Sequence, residues 1–191
     1  MDTITHGIAG ALIGKAFFTG HSTVSSPDAG SVATLAVTLG SVFPDIDVLA
    51  ELLSRNDLAI LQVHRSVTHS LLCLPMFAVV LAAAVRWYAR RRERESPSWA
   101  VLTGLCAVGL ASHILLDVVT SFGTMIWSPW NYTRVAWDLV FIVDFLLTGM
   151  VLVPQVLAWV YRQREHSFWR ASRMAAFFLA AAVFVFWLAE A

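Results

Sequence analysis

Five or six apolar runs, separated by polar linkers, leave this chain few ways to fold. They cover approximately Ile4–Phe18, Val32–Leu49, Ser70–Tyr88, Trp99–Val119, Leu139–Tyr161 and Ala171–Ala189. A helix needs about 20 residues to cross the hydrocarbon core of a bilayer. The last four runs meet that length and the second comes close. The first is short, as a tilted, partial or re-entrant helix would be. Its Gly7, Gly10 and Gly14 fall at helical spacing and would let a neighbouring helix approach closely. The expectation is an all-α, polytopic transmembrane bundle of five to six helices, forming one integral-membrane domain over residues 1–191. Composition agrees: only 14% of residues are charged and 58% are hydrophobic, against about 25% charged in an ordinary soluble domain. No cleavable signal peptide is expected, because Asp2 opens the chain and His6 and Lys15 interrupt the first apolar run. Cys73 and Cys106 lie in apolar runs and read as buried, inert thiols.

The basic residues set an orientation. Of 13 Lys and Arg, five lie in Arg86–Arg94 and four in Arg162–Arg173, with two apolar runs between these linkers. Both linkers therefore fall on one side, which the positive-inside rule makes the cytoplasm. Lys15 joins them if the first run spans, leaving Arg55, Arg65 and Arg134 outside. Trp87, Trp99 and Trp159 then mark the inner interface, and Trp127, Trp130, Trp137 and Trp187 the outer one. A multi-pass protein of the plasma (inner) membrane is expected, with both termini extracytoplasmic.

On this topology the ionisable residues converge. His6 begins the first run, Asp45 and Asp47 end the second, His64 and His69 precede the third, His113 and Asp117 end the fourth, and Asp144 lies just inside the fifth. All map to the extracytoplasmic helix ends. Ionisable groups at membrane depth are costly unless paired, ligated or hydrated, and converging carboxylates need a cation to neutralise them. Mixed imidazole and carboxylate ligation suits Zn²⁺, with Mn²⁺ or Fe²⁺ as alternatives. His113 and Asp117, four apart, share a helix face and can grip one metal. Asp45 and Asp47 point apart at this spacing, so one would ligate and the other orient a histidine. His64 and His69 are five apart and need a turn between them, with Ser66 or Thr68 available to cap the third helix. His21 and His166 lie in the cytoplasmic linkers and read as surface residues. Arg65 and Arg134, outside, could hold a phosphate or carboxylate or anchor to headgroups.

The elements Thr5-His6-Gly7, Pro44-Asp45-Ile46-Asp47, His64-Arg65-Ser66-Val67-Thr68-His69-Ser70, His113-Ile114-Leu115-Leu116-Asp117, Thr120-Ser121-Phe122-Gly123-Thr124 and Asp144 together resemble the YdjM-like family of membrane-bound metal-dependent hydrolases. The resemblance runs from residue 3 to about 150. It carries with it a distant similarity to the zinc-dependent phospholipase C and P1 nuclease group, whose metal clusters also use an HxxxD pair. It implies that His6, Asp45, His64, His69, His113, Asp117 and Asp144 supply metal ligands. In one place the chain departs from the family pattern: Phe145 follows Asp144 where proline is usual.

The function expected is metal-assisted hydrolysis of a lipid or other phosphoester at the outer membrane–water boundary. Asp47 is the candidate orienting or general-base carboxylate, and Arg65 the candidate anion holder. A cation- or proton-conducting protein, or a metal clip joining helix ends, would use the same cluster. Membrane lipid is the expected partner. Nucleic acid is not, since the net charge is zero and no basic surface interleaved with aromatics occurs. The HExxH, GxxxxGK[ST], GxSxG and CxxC patterns are also absent.

Overall fold

The computed structural model describes residues 1–18, 26–48, 65–141 and 145–160. His64, Asp144, His21, His166 and the run Ala171–Ala189 therefore lie outside the described residues. Within them the chain is all-helical: α1 (Thr3–Ile13), α2 (Pro27–Val42), α3 (Leu74–Arg91), α4 (Trp99–Val118) and α5 (Phe145–Val160). A π-helical segment, Gly14–Phe18, extends α1, and a 3₁₀ turn, Phe43–Ile46, extends α2 where Pro44 interrupts it. Two of these helices, Pro27–Ile46 with its 3₁₀ extension and Trp99–Val118, are long and apolar enough to cross a membrane.

Local chemistry moves three boundaries away from the positions that hydropathy marks. Helix α2 starts at Pro27, five residues ahead of the apolar run that begins at Val32, because Ser26 accepts the Ala29 N–H and Pro27 occupies the first turn. Helix α3 starts at Leu74 rather than near Ser70, and neither Ser66 nor Thr68 caps it. Ser66 instead meets Ser128 hydroxyl to hydroxyl at 2.9 Å. Leu139 and Val140, expected in the fifth helix, are irregular: their N–H groups donate to Val119 C=O, folding the 119–141 segment back over the end of α4.

The core is built on α2, which packs against α1 and α4, while α3 packs against α4 and α5 against α1. The α2–α4 contact depends on glycine. A Cβ on Gly40 would fall 2.5 Å from Cys106 O, and one on Gly109 would fall 2.3 Å from Val37 O. With hydrogen in those places the two backbones touch, as helices in lipid do when small residues line their seam. Ser41 strengthens the seam by donating to Gly109 O at 3.2 Å. Along α1 and α5, Thr5 meets Thr148 at 2.7 Å and Gln155 links Ile8 O to Lys15.

Among the described residues the interior is apolar except where one polar cluster is enclosed. His6, His69, His113 and Asp117 are fully buried, while Met76, Val80, Trp87 and Leu115 lie exposed on the helix faces. Apolar outer faces and a buried polar cluster are what a bilayer solvent selects.

Candidate metal centre

Chain direction brings the chemistry to one end of the bundle. The start of α1, the end of α2, the turn before α3 and the end of α4 meet there, opposite the basic linker after α3, where Arg94 reaches Ser31 near the start of α2. Four of the expected ligands converge: Asp45, His69, His113 and Asp117 each offer a donor atom, all within 4.8 Å of one another.

The spacing of these atoms is informative. His69 Nε2 and His113 Nε2 face each other at 3.0 Å. Asp117 Oδ2 lies 3.2 Å from His69 Nε2 and 3.4 Å from His113 Nε2. Asp45 Oδ1 lies 3.4 Å from His113 Nε2 and 3.8 Å from His69 Nε2. Metal–ligand bonds of about 2.0–2.1 Å in a tetrahedron require donor atoms about 3.3–3.4 Å apart. These five edges bracket that value and the sixth, between the two carboxylates, stays within 4.8 Å, so the four side chains could hold a divalent ion.

The surroundings prepare each ligand. His113 Nδ1–H donates to Ser41 C=O at 2.7 Å, which leaves the lone pair on Nε2. Asp45 is held by Thr3, whose hydroxyl donates to Oδ2 at 2.6 Å, keeping Oδ1 for the cluster. Asp47 turns the other way. Its Oδ2 accepts from Arg65 N at 2.9 Å and Thr68 Oγ1 at 3.3 Å, and lies 3.7 Å from His69 Nδ1. The divergent Asp45/Asp47 pair thus divides its work, one carboxylate in the donor group and one behind a histidine. Burial disfavours the His69 cation, but Asp117 and Asp45 outweigh burial and raise its pKa above the ordinary value. A metal arriving here would displace that proton, tying affinity to pH.

His6 stands beside the four-donor group. Its ring stacks on His113 with centroids 3.7 Å apart, and its Nε2 lies 3.2 Å from Asp117 Oδ1, the oxygen that also receives the Met1 amino group. Arg65 is buried and engaged: Nε lies 3.3 Å from Asp117 Oδ2, Nη1 donates to Gly123 O and Nη2 to Met1 O. Its backbone is left-handed, with φ of 58°, a conformation that costs a non-glycine residue of order 1 kcal/mol or more. The neighbouring segment secures it. Met125 N–H and Thr124 Oγ1 both donate to Arg65 C=O, and Ser70 Oγ donates to Ser128 C=O. These bonds give the serines and threonines of the two sequence motifs a purpose: they lock the His69 turn to the segment after α4.

Thr3 and the Ser41 carbonyl carry no signal in the sequence. Thr3 is an ordinary first-turn threonine, and a backbone acceptor has no residue type.

A family model described as "YdjM inner membrane protein" matches residues 1–190. The chain is also 26% identical over 141 residues to the "Uncharacterized protein YfhP" of Bacillus subtilis (strain 168), a match covering 73% of this chain and 41% of that relative. The chain thus spans less than half the length of the curated relative it matches. No solved structure matches. With the match running over nearly every residue, including all four cluster ligands, the chain belongs to the YdjM inner membrane protein family.

Proposed function

We propose that this protein is a multi-pass, metal-dependent hydrolase of phosphoesters, with its site at the extracytoplasmic helix ends of the inner membrane. The observation that carries the reading is the buried convergence of Asp45, His69, His113 and Asp117 in one donor group. The basic residues of Arg86–Arg94 lie at the opposite end of the bundle, which the positive-inside rule assigns to the cytoplasm. The HxxxD pair, His113 and Asp117, is the feature read in the sequence as resembling zinc-dependent phosphoesterases, and zinc is the ion the donor set suits best.

A bound divalent ion would lower the pKa of a coordinated water and offset charge developing on a phosphoryl group. The protein's own residues do the rest. The Ser41 carbonyl orients His113, Thr68 Oγ1, 3.0 Å from His69 Nδ1 and backed by Asp47, orients His69, Thr3 turns Asp45, and Arg65 balances Asp117 at the edge of the group. The buried ring of His6 closes one side against His113 and limits water there.

Purified protein supplied with zinc is expected to hydrolyse a phosphomonoester or phosphodiester reporter, and His113→Ala is expected to lower the rate at least about 100-fold. Equal rates in the two proteins would remove the hydrolase reading. The polar contacts along α1 and α5, from Thr148 to Gln155 and Lys15, favour a second reading as a cation or proton path. Saturable flux in liposomes without hydrolysis would establish that one instead.

A further inference from the structure

Three members of the donor group are sealed and one is not. His69, His113 and Asp117 are 0% exposed, while Asp45 keeps 8%. Whatever reaches the centre therefore passes the Asp45 side, and the side chains around that side are apolar. Two polar contacts mark the place. Thr3 Oγ1 donates to Asp45 Oδ2 at 2.6 Å, and Thr68 Oγ1 donates to Asp47 Oδ2 at 3.3 Å. Ile4 and Ile46 come next in the chain after Thr3 and Asp45, and Val67 and Val48 adjoin Thr68 and Asp47. All four are exposed, Ile4 to 74%. Aliphatic side chains grouped at the mouth of a site mark an interaction surface.

This rim continues into the face that the bundle turns to lipid. Leu71 and Leu72, just past His69, are exposed. From Leu72, in the turn before α3, exposed Met76, Val80, Ala83 and Trp87 repeat at helical spacing down one side of α3. Leu71 N–H donates to Ile126 C=O at 3.0 Å, beside exposed Trp127. Indoles concentrate at headgroup depth, so the mouth lies where the hydrocarbon stripe meets the headgroup layer.

We propose that the metal centre opens sideways to the bilayer, and that Ile4, Ile46, Val48, Val67 and Leu71 seat the acyl chains of a membrane phospholipid whose phosphate enters past Asp45. The inference rests on the phosphoester reading and names its substrate class, a membrane lipid in place of a soluble ester. Each acyl methylene buried on the rim tightens binding about fourfold. The rim thereby sets a preference that the headgroup alone cannot.

The test is calorimetric titration of the purified, zinc-loaded protein in detergent with two probes. One is dihexanoyl phosphatidate, and the other is glycerol 3-phosphate, the same headgroup without acyl chains. Wild type, Ile4→Gln, Val67→Gln and the double variant are compared, with metal content and unfolding temperature measured in each. Wild type is expected to bind the phosphatidate at least about 10-fold more tightly, the effect of burying about two methylenes. The double variant is expected to cut that preference about 10-fold and each single variant about threefold, with metal content unchanged. Either single variant decides the matter should the pair not fold. A preference that survives in the variants comes from the micelle and overturns the proposal. Equal binding of the two probes by wild type, or no saturable binding of the phosphatidate, overturns it too. Should the reporter esters go unhydrolysed while the preference still depends on the rim, the lipid seat stands and the hydrolase reading falls. Reporter hydrolysis lost in His113→Ala, with a preference indifferent to the rim, gives the converse.

Discussion

Asp117→Asn is expected to abolish tight metal binding and to destabilise the protein even without metal. Asp117 is the hub of the cluster: Oδ2 faces His69, His113 and Arg65, and Oδ1 faces His6 and the Met1 amino group. The amide keeps the shape and removes the charge. Arg65, 4% exposed, would then be left buried beside a neutral group, and breaking a buried pair in this way costs about 3–5 kcal/mol. The expected readings are a clearly lower unfolding temperature in detergent and a loss of zinc affinity of at least about 100-fold, beyond what losing an orienting group produces. If Asp117→Asn binds zinc like wild type, Asp117 is not a ligand and the donor group has been misassigned.

The second large effect is expected far from any ligand. Gly109→Val would push a side chain into Val37 O and the Cα of Gly40, and neither backbone can yield without parting α2 from α4. Overpacking a tight seam costs about 1–3 kcal/mol when side chains can shift, and more when backbone must move. A destabilisation of about 3 kcal/mol or more is expected. Because the 3₁₀ turn continuing α2 carries Asp45 and α4 carries His113 and Asp117, metal should be lost along with stability. Gly104→Ala on the same helix is the control: a Cβ there meets nothing within 4 Å, and alanine's better helix propensity should make it neutral or mildly stabilising. Thermal unfolding in detergent and metal content, measured on both variants, decide the matter. If Gly109→Val behaves like Gly104→Ala, the close seam is not what positions the site.

These two residues show what could and could not be read from sequence. Asp117 was legible because an imidazole and a carboxylate four apart must share a helix face, and because alternating helix direction carries His6, Asp45, His69 and His113 to the same end. The seam was only half legible. Gly7, Gly10 and Gly14 stood out by their spacing, but the closest backbone approach between helices falls at Gly40 and Gly109, one glycine from each of two helices whose register no local pattern reveals. The choice between Asp45 and Asp47 depended on a 3₁₀ turn after Pro44 and on a loop from elsewhere in the chain bringing Arg65 N–H and Thr68 to Asp47. Hydropathy misplaced the start of α2, because capping by Ser26 and Pro27 acts on polar residues that an apolar scan discards. It also extended the fifth helix too far, because Leu139 and Val140 are apolar for a different reason: they cover the end of α4.

Arg65 shows how a sequence can place a residue beside the cluster without saying what it touches. A guanidinium beside a metal centre suggests a substrate contact, but the left-handed backbone at Arg65 aims its side chain inward, at Asp117. Its charge then stabilises the ligand set.

The most direct test of the central claim is elemental analysis of the purified protein after exposure to zinc, manganese and iron in turn. The expected result is at least one tightly held divalent ion per chain, zinc held best, and none in Asp117→Asn. A wild-type protein that retains no stoichiometric metal under any of these conditions would contradict it.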